Sequence, residues 1–163
     1  MKKLTIDPAE VVLGKEKNIV FNEDANRIAS CNPVDVLYLD PPYNQRQYAT
    51  NYHLLETIAK NDKPQVHGKT GLRDYSSQKS QYCSRSQVKK AFNDLILNAK
   101  AKYIILSYNN EGLLSLDEIK QIMGQRGKYG YATMSYHRFK ADSSREYSAN
   151  STIEYLHYVI CDE

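Results

Sequence analysis

The sequence predicts an α/β fold in which strands and helices alternate before a final antiparallel hairpin. Two apolar runs rich in Val, Ile, Leu and Tyr, Val34–Leu39 and Tyr103–Tyr108, have the composition of strands covered on both faces. The helical periodicity between them predicts that they lie parallel in one open sheet. Tyr131–Phe139 and Ser151–Ile160 alternate apolar and polar side chains, which predicts a hairpin with Lys140–Asn150 as its long tip.

Three helices are predicted from apolar residues at helical spacing and from capping residues at their starts. The first is Thr50–Lys60, the second begins at Ser84 or Ser86 and runs to Ala99, and the third begins at Ser115 or Asp117 and ends after Met123. A helix before each later strand fits the alternation that an α/β sheet requires.

Two further segments lie outside these elements. Ile19–Phe21 is a short apolar strand candidate that runs into a polar turn. Residues 61–83 are rich in Gly, Ser, Lys and Gln and show little periodicity, which predicts a long loop. The loop belongs to a basic stretch, because residues 60–102 carry ten Lys or Arg against three Asp. Such a stretch is typical of a surface that faces a polyanion, and it equally fits an ordinary solvated face.

The composition indicates a single domain over residues 1–163. Hydrophobic residues make up 41% of the chain and charged residues 25%, as in ordinary soluble proteins. No apolar run approaches the roughly 18–20 residues that a membrane-spanning helix needs, so we expect no membrane partner and a cytoplasmic, bacterial location. The three cysteines lie far apart and no histidine spacing suits a metal, so we predict reduced thiols and no metal site.

The residues Asp40-Pro41-Pro42-Tyr43 follow the first predicted strand, at the edge of the sheet where ligands bind. An aromatic amine is a poor nucleophile because its lone pair is delocalised into the ring, so a catalyst must accept hydrogen bonds from both of its N–H groups. Asp40 offers one acceptor and the carbonyl of Pro41 another, on a corner that the prolines hold rigid. Tyr43 offers a ring on which a base removed from the duplex can stack. The motif predicts methyl transfer to the exocyclic amine of adenine in DNA.

Beyond this motif, the chain resembles the bacterial N6-adenine-specific DNA methyltransferases that use S-adenosylmethionine. The resemblance covers the chain from about Ile19 onward and rests on the segments Asp40–Tyr48, Asn51–Glu56, Gly68–Arg73, Leu106–Gly112, Tyr136–Asp142 and Glu154–Leu156. It implies a site-specific enzyme of a restriction–modification system that methylates a flipped adenine in double-stranded DNA. It also implies a partial Rossmann-like, S-adenosylmethionine-dependent methyltransferase sheet with a C-terminal antiparallel hairpin.

The resemblance implies roles for the matching residues. The target-base site would be formed by Asp40, Pro41, Pro42 and Tyr43. The cofactor would be bound by Asp24 at its adenine, by Tyr52 and His53 near its methionine end, and by Asp40. DNA would be contacted by Arg46, Tyr48, Lys69, Arg73, Arg138, Lys140 and Arg145, with the 61–83 loop near the duplex. Plainer readings stay open for Asp24 as a turn residue, Tyr52 as a packing residue and Arg46 as a solvated loop residue.

One feature of the family is not visible in the sequence. A complete enzyme of this kind carries a glycine-rich loop after its first strand and an acid for the cofactor's ribose. Gly14 stands alone, and Gly124, Gly127 and Gly130 follow a predicted helix rather than a strand. We therefore expect the C-terminal catalytic portion of a methyltransferase: a split subunit, a truncation or an inactive remnant. The expected partner of a split subunit is a second chain that carries the glycine-rich half.

Three alternatives assign a different function. An inactive DNA-binding or assembly module that needs a partner chain for cofactor binding would also explain the missing loop. Methylation of RNA or of a protein glutamine is disfavoured, because those relatives usually place Asn where Asp40 stands. A penicillin-interactive serine enzyme is disfavoured because Lys69-Thr70-Gly71 comes before Ser76-Ser77-Gln78-Lys79 and lies in a predicted loop.

Overall fold

A computed structural model describes residues 14, 17–137 and 151–162 of the chain. Within these residues the chain forms helices, one mixed sheet and a small separate hairpin. The helices are α1 Ala25–Cys31, α2 Tyr48–Asn51, α3 His53–Lys60, α4 Val88–Asn98 and α5 Leu116–Met123. The strands are β1 Val34–Leu39, β2 Val66–His67, β3 Leu72–Arg73, β4 Ala101–Asn109, β5 Gly127–His137 and β6 Ser151–Cys161. The predicted α/β class is confirmed.

The main sheet has four strands in the order β1-β4-β6-β5. β1 and β4 are parallel, with Val34 opposite Ala101 and Leu39 opposite Leu106. β6 runs antiparallel to both of its neighbours, so the predicted parallel pair and the predicted hairpin are both present. β5 begins at Gly127, earlier than predicted, and the hairpin tip at residues 140–150 lies outside the described residues.

Helices α1, α4 and α5 cover one face of this sheet and form the core with it. The most deeply buried side chains at this interface include Phe92, Ile96, Ile104, Leu106 and Val159, each at most 1% exposed. Burying an aliphatic or aromatic side chain of this size contributes about 1.5–3 kcal/mol relative to leaving it in water. This layer therefore fixes the strands and the loops that follow them.

α5 begins at its predicted cap Ser115, whereas the residue that precedes α4 is Gln87 and makes no side-chain cap, so the predicted Ser84 or Ser86 cap is wrong. Ser115 caps α5: its hydroxyl accepts the Glu118 N–H at 3.2 Å, and the Glu118 carboxylate accepts the Ser115 N–H at 3.0 Å. This reciprocal pair is a capping box, which satisfies two N–H groups at the helix start. α4 begins at Val88, whose N–H donates to the carbonyl of Ser84 at 2.8 Å.

The opposite face of the sheet carries large apolar side chains that are partly exposed to solvent. We call it the open face and define it by Val34, Val36, Tyr38, Tyr103, Leu156, Tyr158 and Ile160, which are 42–59% exposed. The prediction that β1 and β4 are covered on both faces is therefore wrong, because α1, α4 and α5 all pack on the other side. Composition predicts which side chains suit burial, but it does not show whether a covering layer is present.

Two other apolar segments are more exposed than predicted. Ile19–Phe21 forms no strand, and Val20 is 93% exposed. A strand needs a neighbour to pair its backbone groups, and none of the described residues pairs with this segment. The predicted helix Thr50–Lys60 is interrupted at Tyr52, which separates α2 from α3, and Leu55 of α3 is 60% exposed.

The segment predicted as one long loop, residues 61–83, has local structure. β2 and β3 form a short antiparallel hairpin, and its turn contains Gly68 and Gly71 with φ of 71° and 65°. These positive φ values favour glycine because it lacks a Cβ. Two 3₁₀ turns follow, Ser76–Gln78 and Gln81–Cys83. The loop prediction therefore missed a hairpin and two turns.

Candidate active site

The Asp40–Tyr43 turn begins directly after β1. Because β1 and β4 are parallel, the turn lies beside the carboxyl end of β4, where Leu106 is the register partner of Leu39. Asp40 is exposed, whereas Pro41, Pro42 and Tyr43 are half-buried. The carboxylate is therefore accessible on a corner whose other members are packed.

Tyr43 attaches this turn to the loop after β4. Its carbonyl accepts a hydrogen bond from the Leu113 N–H at 2.9 Å. Its ring meets the ring of Tyr108 edge to face, with centroids 6.3 Å apart and an interplanar angle of 80°. Tyr108 is 2% exposed, and its hydroxyl accepts the Leu114 N–H at 3.2 Å. A buried tyrosine thus holds the candidate base-stacking residue.

Gly112 allows this arrangement. A Cβ at this position would lie 2.1 Å from Cε1 of Tyr108, which real side chains do not tolerate. Burial also raises the pKa of Tyr108, so its hydroxyl stays protonated. Sequence reasoning placed Tyr108 and Gly112 within a matching segment but assigned neither a role, because only the fold brings them against Tyr43.

The loop after the turn is held by residues 80–83. Within the loop, the Asn44 side chain accepts the Arg46 N–H at 2.9 Å. The Gln47 amide donates to the carbonyl of Ser80 at 3.2 Å and accepts the Ser80 N–H at 2.8 Å. The buried Cys83 thiol donates to the Arg46 carbonyl at 3.3 Å. Arg46 itself is exposed, as a DNA contact would require. Sequence reasoning missed the Gln47–Ser80 pair, for which the sequence holds no local signal.

Tyr48 lies in the electrostatic field of Asp40. Burial raises the pKa of Tyr48, and the nearby carboxylate of Asp40 raises it further. The Tyr48 ring also meets Tyr52 edge to face, with centroids 5.9 Å apart. α2 therefore brings an aromatic pair next to the catalytic candidate, although Tyr48 was predicted only as a DNA contact.

A cleft of about 1190 Å³ adjoins this aromatic pair. We call it the Asp24 cleft; its wall includes Asp24, Tyr48 and Tyr52. It therefore brings together two of the four residues predicted to bind the cofactor, while Asp40 and His53 do not line it. Small-molecule sites usually have volumes of about 300–1000 Å³, so the cleft is wide enough for a nucleoside-sized group.

Polar groups of α1 and α4 form the floor of the Asp24 cleft. Asp24 caps α1 by accepting the Arg27 N–H at 3.1 Å, which gives this residue a structural role as well. The Tyr82 hydroxyl donates to Asn26 at 2.7 Å, and the Asn26 amide donates to Asp94 at 2.7 Å. Burial raises the pKa of Tyr82, helped by Asp24 and Asp94. This network was not predicted, because its members lie far apart in sequence.

The predicted DNA-binding residues lie in different settings. Lys69 lies in the β2–β3 turn and is exposed. The Arg73 guanidinium instead pairs with Asp62, with one Nη1–Oδ1 distance of 3.2 Å, and its side chain is only 11% exposed. This ion pair lowers the pKa of Asp62. Arg138, Lys140 and Arg145 lie outside the described residues.

A buried histidine lies on the core side of the hairpin. His157 has no exposed surface, and its Nδ1 is 2.8 Å from the Tyr129 hydroxyl. The ring stacks on Tyr155, with centroids 5.5 Å apart. Burial lowers the pKa of His157 to about 4, because the charged form loses its hydration.

Two kinds of functional feature are absent from the described ranges of the chain. No helix there is long and apolar enough to cross a membrane. The same residues contain no group of three or more His, Cys, Asp or Glu side chains that could hold a metal ion.

Comparison with known proteins gives consistent relatives. Residues 2–122 match the family described as D12 class N6 adenine-specific DNA methyltransferase. The chain is 48% identical over 159 residues to the type II methyltransferase M.NlaIII of Neisseria lactamica. This alignment covers 96% of the chain and 47% of the relative. The chain is 42% identical over 160 residues to M.FokI of Planomicrobium okeanokoites, covering 96% of this chain and 24% of the relative. No solved structure matches the chain significantly.

The family match agrees with the geometry described above. It covers the accessible Asp40 corner, the loop that packs on Tyr43 and the Asp24 cleft. The chain spans about half the length of M.NlaIII and about a quarter of M.FokI. It belongs to the D12 class N6 adenine-specific DNA methyltransferase family.

Proposed function

We propose that this chain provides the base-activating portion of a site-specific DNA methyltransferase that acts on N6 of a flipped adenine. The observation that carries the proposal is the accessible Asp40 carboxylate, on a turn fixed by the Tyr43–Leu113 hydrogen bond. The family match and the type II methyltransferases among the relatives support it.

Asp40 and Pro41 would activate the amine. The Asp40 carboxylate and the Pro41 carbonyl each accept one N–H, so the nitrogen can become pyramidal and direct its lone pair at an electrophile. Pro41 and Pro42 restrict φ, so these acceptors need little reorganisation when the base arrives. No covalent bond between enzyme and base is required.

Tyr43 would hold the flipped base. Stacking of a base on an aromatic side chain contributes about 1–3 kcal/mol. The edge-to-face contact with Tyr108 fixes the ring, so little side-chain entropy is lost when a base stacks on it. Arg46 and Tyr48, in the adjoining loop and helix, would contact the DNA around the flipped base.

The side chains that line the Asp24 cleft suit S-adenosylmethionine. Asp24 offers a carboxylate to the polar groups of the cofactor's adenine, and Tyr52, which lines the same cleft, would border the methionine end. When bound, the cofactor would supply the electrophilic methyl group. His53, at the start of α3, and Asp40, after β1, do not line the cleft. They would contact a part of the cofactor that extends beyond it.

The sheet supports a finer assignment of the fold. We infer that these four strands are the later part of a larger Rossmann-like methyltransferase sheet, with the β5–β6 hairpin at its end. The parallel β1–β4 pair and the reactive turn at the carboxyl end of β1 support this inference. A second chain carrying a glycine-rich half would supply the remaining strands and cofactor contacts.

The test is the substitution Asp40→Ala in an enzyme assembled from this chain and the glycine-rich portion of a relative. We expect methylation of adenine, followed with labelled S-adenosylmethionine, to fall by at least about 10²–10³-fold, because one acceptor for the amine is lost. DNA binding should change little, because phosphate contacts dominate it. Asp35→Ala is the control: this exposed carboxylate lies near the other end of β1, pairs with Lys102 at 2.7 Å, and should be dispensable.

Equal loss of methylation and DNA binding in Asp40→Ala would contradict the assigned role. A second candidate function is an inactive DNA-binding module, which the lack of a visible glycine-rich cofactor loop in the sequence favours. The assembled wild-type enzyme separates the two proposals: adenine methylation supports the catalytic proposal, whereas DNA binding without any methylation supports the module.

A further inference from the structure

The open face is one continuous surface. Val36 lies opposite Tyr103, which lies opposite Ile160, so these three side chains form a row across β1, β4 and β6. Tyr38 begins a second row through Ile105 to Tyr158. The side chains are therefore neighbours at strand spacing, about 5 Å apart.

The open face has the composition of a protein interface. Charged residues of β5 and β6 occur only at its margins, where Lys128 pairs with Ile160 and Glu154 with Met134. The centre is apolar and rich in tyrosine, as in the core of a protein–protein contact. A Cβ at Gly130 would lie 2.3 Å from the Tyr158 hydroxyl, so this glycine lets the Tyr158 ring lie flat on the sheet.

The open face exposes a large apolar area. Three of its seven residues are tyrosines, and all seven are 42–59% exposed. Their exposed surface is therefore on the order of several hundred Å², comparable with the roughly 300–600 Å² of the largest apolar patch on a typical monomer. Apolar patches of this size usually mark an interaction site.

One edge of the described sheet, formed by β1, has unpaired backbone groups and lies beside the open face. β1 pairs with β4 on one side, and no other strand of the described residues borders it. The Neisseria relative contains about as much sequence outside the match as within it. A segment of that length is sufficient for further strands and for the helices that a second sheet face requires.

We propose that the open face and the outer edge of β1 bind a polypeptide region equivalent to the part of the methyltransferase relatives that this chain does not match. The partner places apolar helix faces on Val36, Tyr103 and Tyr158, and it adds a strand to β1. DNA does not fit this surface, because its centre lacks the Lys and Arg side chains that phosphates require. The proposal rests on the proposed function for the identity of the partner.

The experiment is co-expression of this chain with a tagged polypeptide that contains the unmatched portion of M.NlaIII. We expect the two chains to purify together in equal amounts. Val36→Lys should reduce recovery of the complex at least about tenfold, because a charge would be buried in an apolar contact. Val66→Lys is the matched control: Val66 is a strand valine with 52% exposure, against 54% for Val36, and lies in the β2–β3 hairpin. Its complex should form normally.

Two further measurements keep the outcomes distinct. The urea midpoints of both variants should stay near that of the wild type, and hydrogen exchange of the wild-type β1 amides should slow in the complex. No complex with the wild type, or equal loss in both variants, overturns the proposal. So does a dimer of this chain alone that Val36→Lys dissociates. A complex that forms but does not methylate DNA supports the interface and contradicts the function.

Discussion

At Asp40 the side chain and the backbone around it have separate tasks. The carboxylate is exposed and available to a ligand, while the prolines and Tyr43 pack against the loop after β4. A reactive acceptor needs this combination, because exposure gives access and packing removes the reorganisation that would otherwise accompany binding. The four-residue motif predicted the accessible acid, but not the partner that holds its tyrosine.

His157 makes folding stability depend on pH. Its pKa is about 4 in the folded chain and near 6.5 when unfolded, so the unfolded state binds more protons between these values. Stability is therefore lost as pH falls through this window. We expect a loss of about 2 kcal/mol between pH 7 and pH 5 from this residue, measured by urea unfolding.

The matched variants separate this contribution from that of the carboxylates. His157→Phe should flatten the pH dependence over the same interval, because no group titrates at this position. His67→Phe, in the exposed β2 strand, should keep the wild-type slope. The same pH slope in His157→Phe and in the wild type would show that the buried ring does not control it.

At the level of elements, the loop after β4 supports the Asp40–Tyr43 turn. Gly112→Ala would force Tyr108 to move, since the new Cβ would lie 2.1 Å from its ring. We expect a loss of roughly 1–3 kcal/mol in unfolding free energy. Displaced Tyr108 would also release Tyr43, so methylation by the assembled enzyme should fall as well.

Gly124→Ala is the control for this substitution. Gly124 has φ of −63°, and no atom lies within 4 Å of a Cβ at this position. Alanine there should be neutral or stabilise the chain by about 0.4–1 kcal/mol. If both variants changed stability equally, the contact between Gly112 and Tyr108 would not be the cause.

Elements with strong local signals were predictable from the sequence. Ser115, one of the two predicted starts, does cap α5, and the alternating pattern predicted the hairpin, because both signals act within a few residues. Ile19–Phe21 was wrong as a strand, and the helix predicted over Thr50–Lys60 is divided into α2 and α3. Both segments have apolar side chains that need a neighbouring element to pack against. Periodicity in the sequence does not show whether such an element is present.

At the scale of the whole molecule, the basic stretch, residues 60–102, contains both exposed side chains and side chains held in ion pairs. Lys69 is exposed, so Lys69→Ala in the assembled enzyme should reduce the slope of log K against log salt by about 0.9, as loss of one phosphate contact does. Filter binding over a range of salt concentrations measures this slope. Arg73→Ala should lower the urea midpoint more than Lys69→Ala does, because Asp62 loses its partner.

Either result can contradict this division. An unchanged slope in Lys69→Ala would remove the β2–β3 turn from the DNA interface. A reversed order of urea midpoints would show that the Arg73–Asp62 pair does not stabilise the fold.

The candidate site was predictable only where chemistry and sequence position coincide. Asp40, Pro41 and Tyr43 are adjacent in sequence, so their meeting needed no fold. The Tyr82–Asn26 contact joins residues 56 positions apart, and the Gln47–Ser80 contact joins residues 33 positions apart. Such long-range pairs depend on how α1 and α4 pack, which no local pattern encodes.

Among the described residues, β1 has one hydrogen-bonded neighbour, β4, and Asp40 follows directly after β1. A border strand frays more readily than an inner one, so the acceptor at its end samples a wider range of positions. Pairing of the outer edge of β1 with another strand would narrow that range of positions, although the added strand would not contact the nucleobase. Under the proposed function, a strand added to β1 would increase the methylation rate without contacting the base, because the Asp40–Tyr43 turn would lose less entropy when the substrate binds.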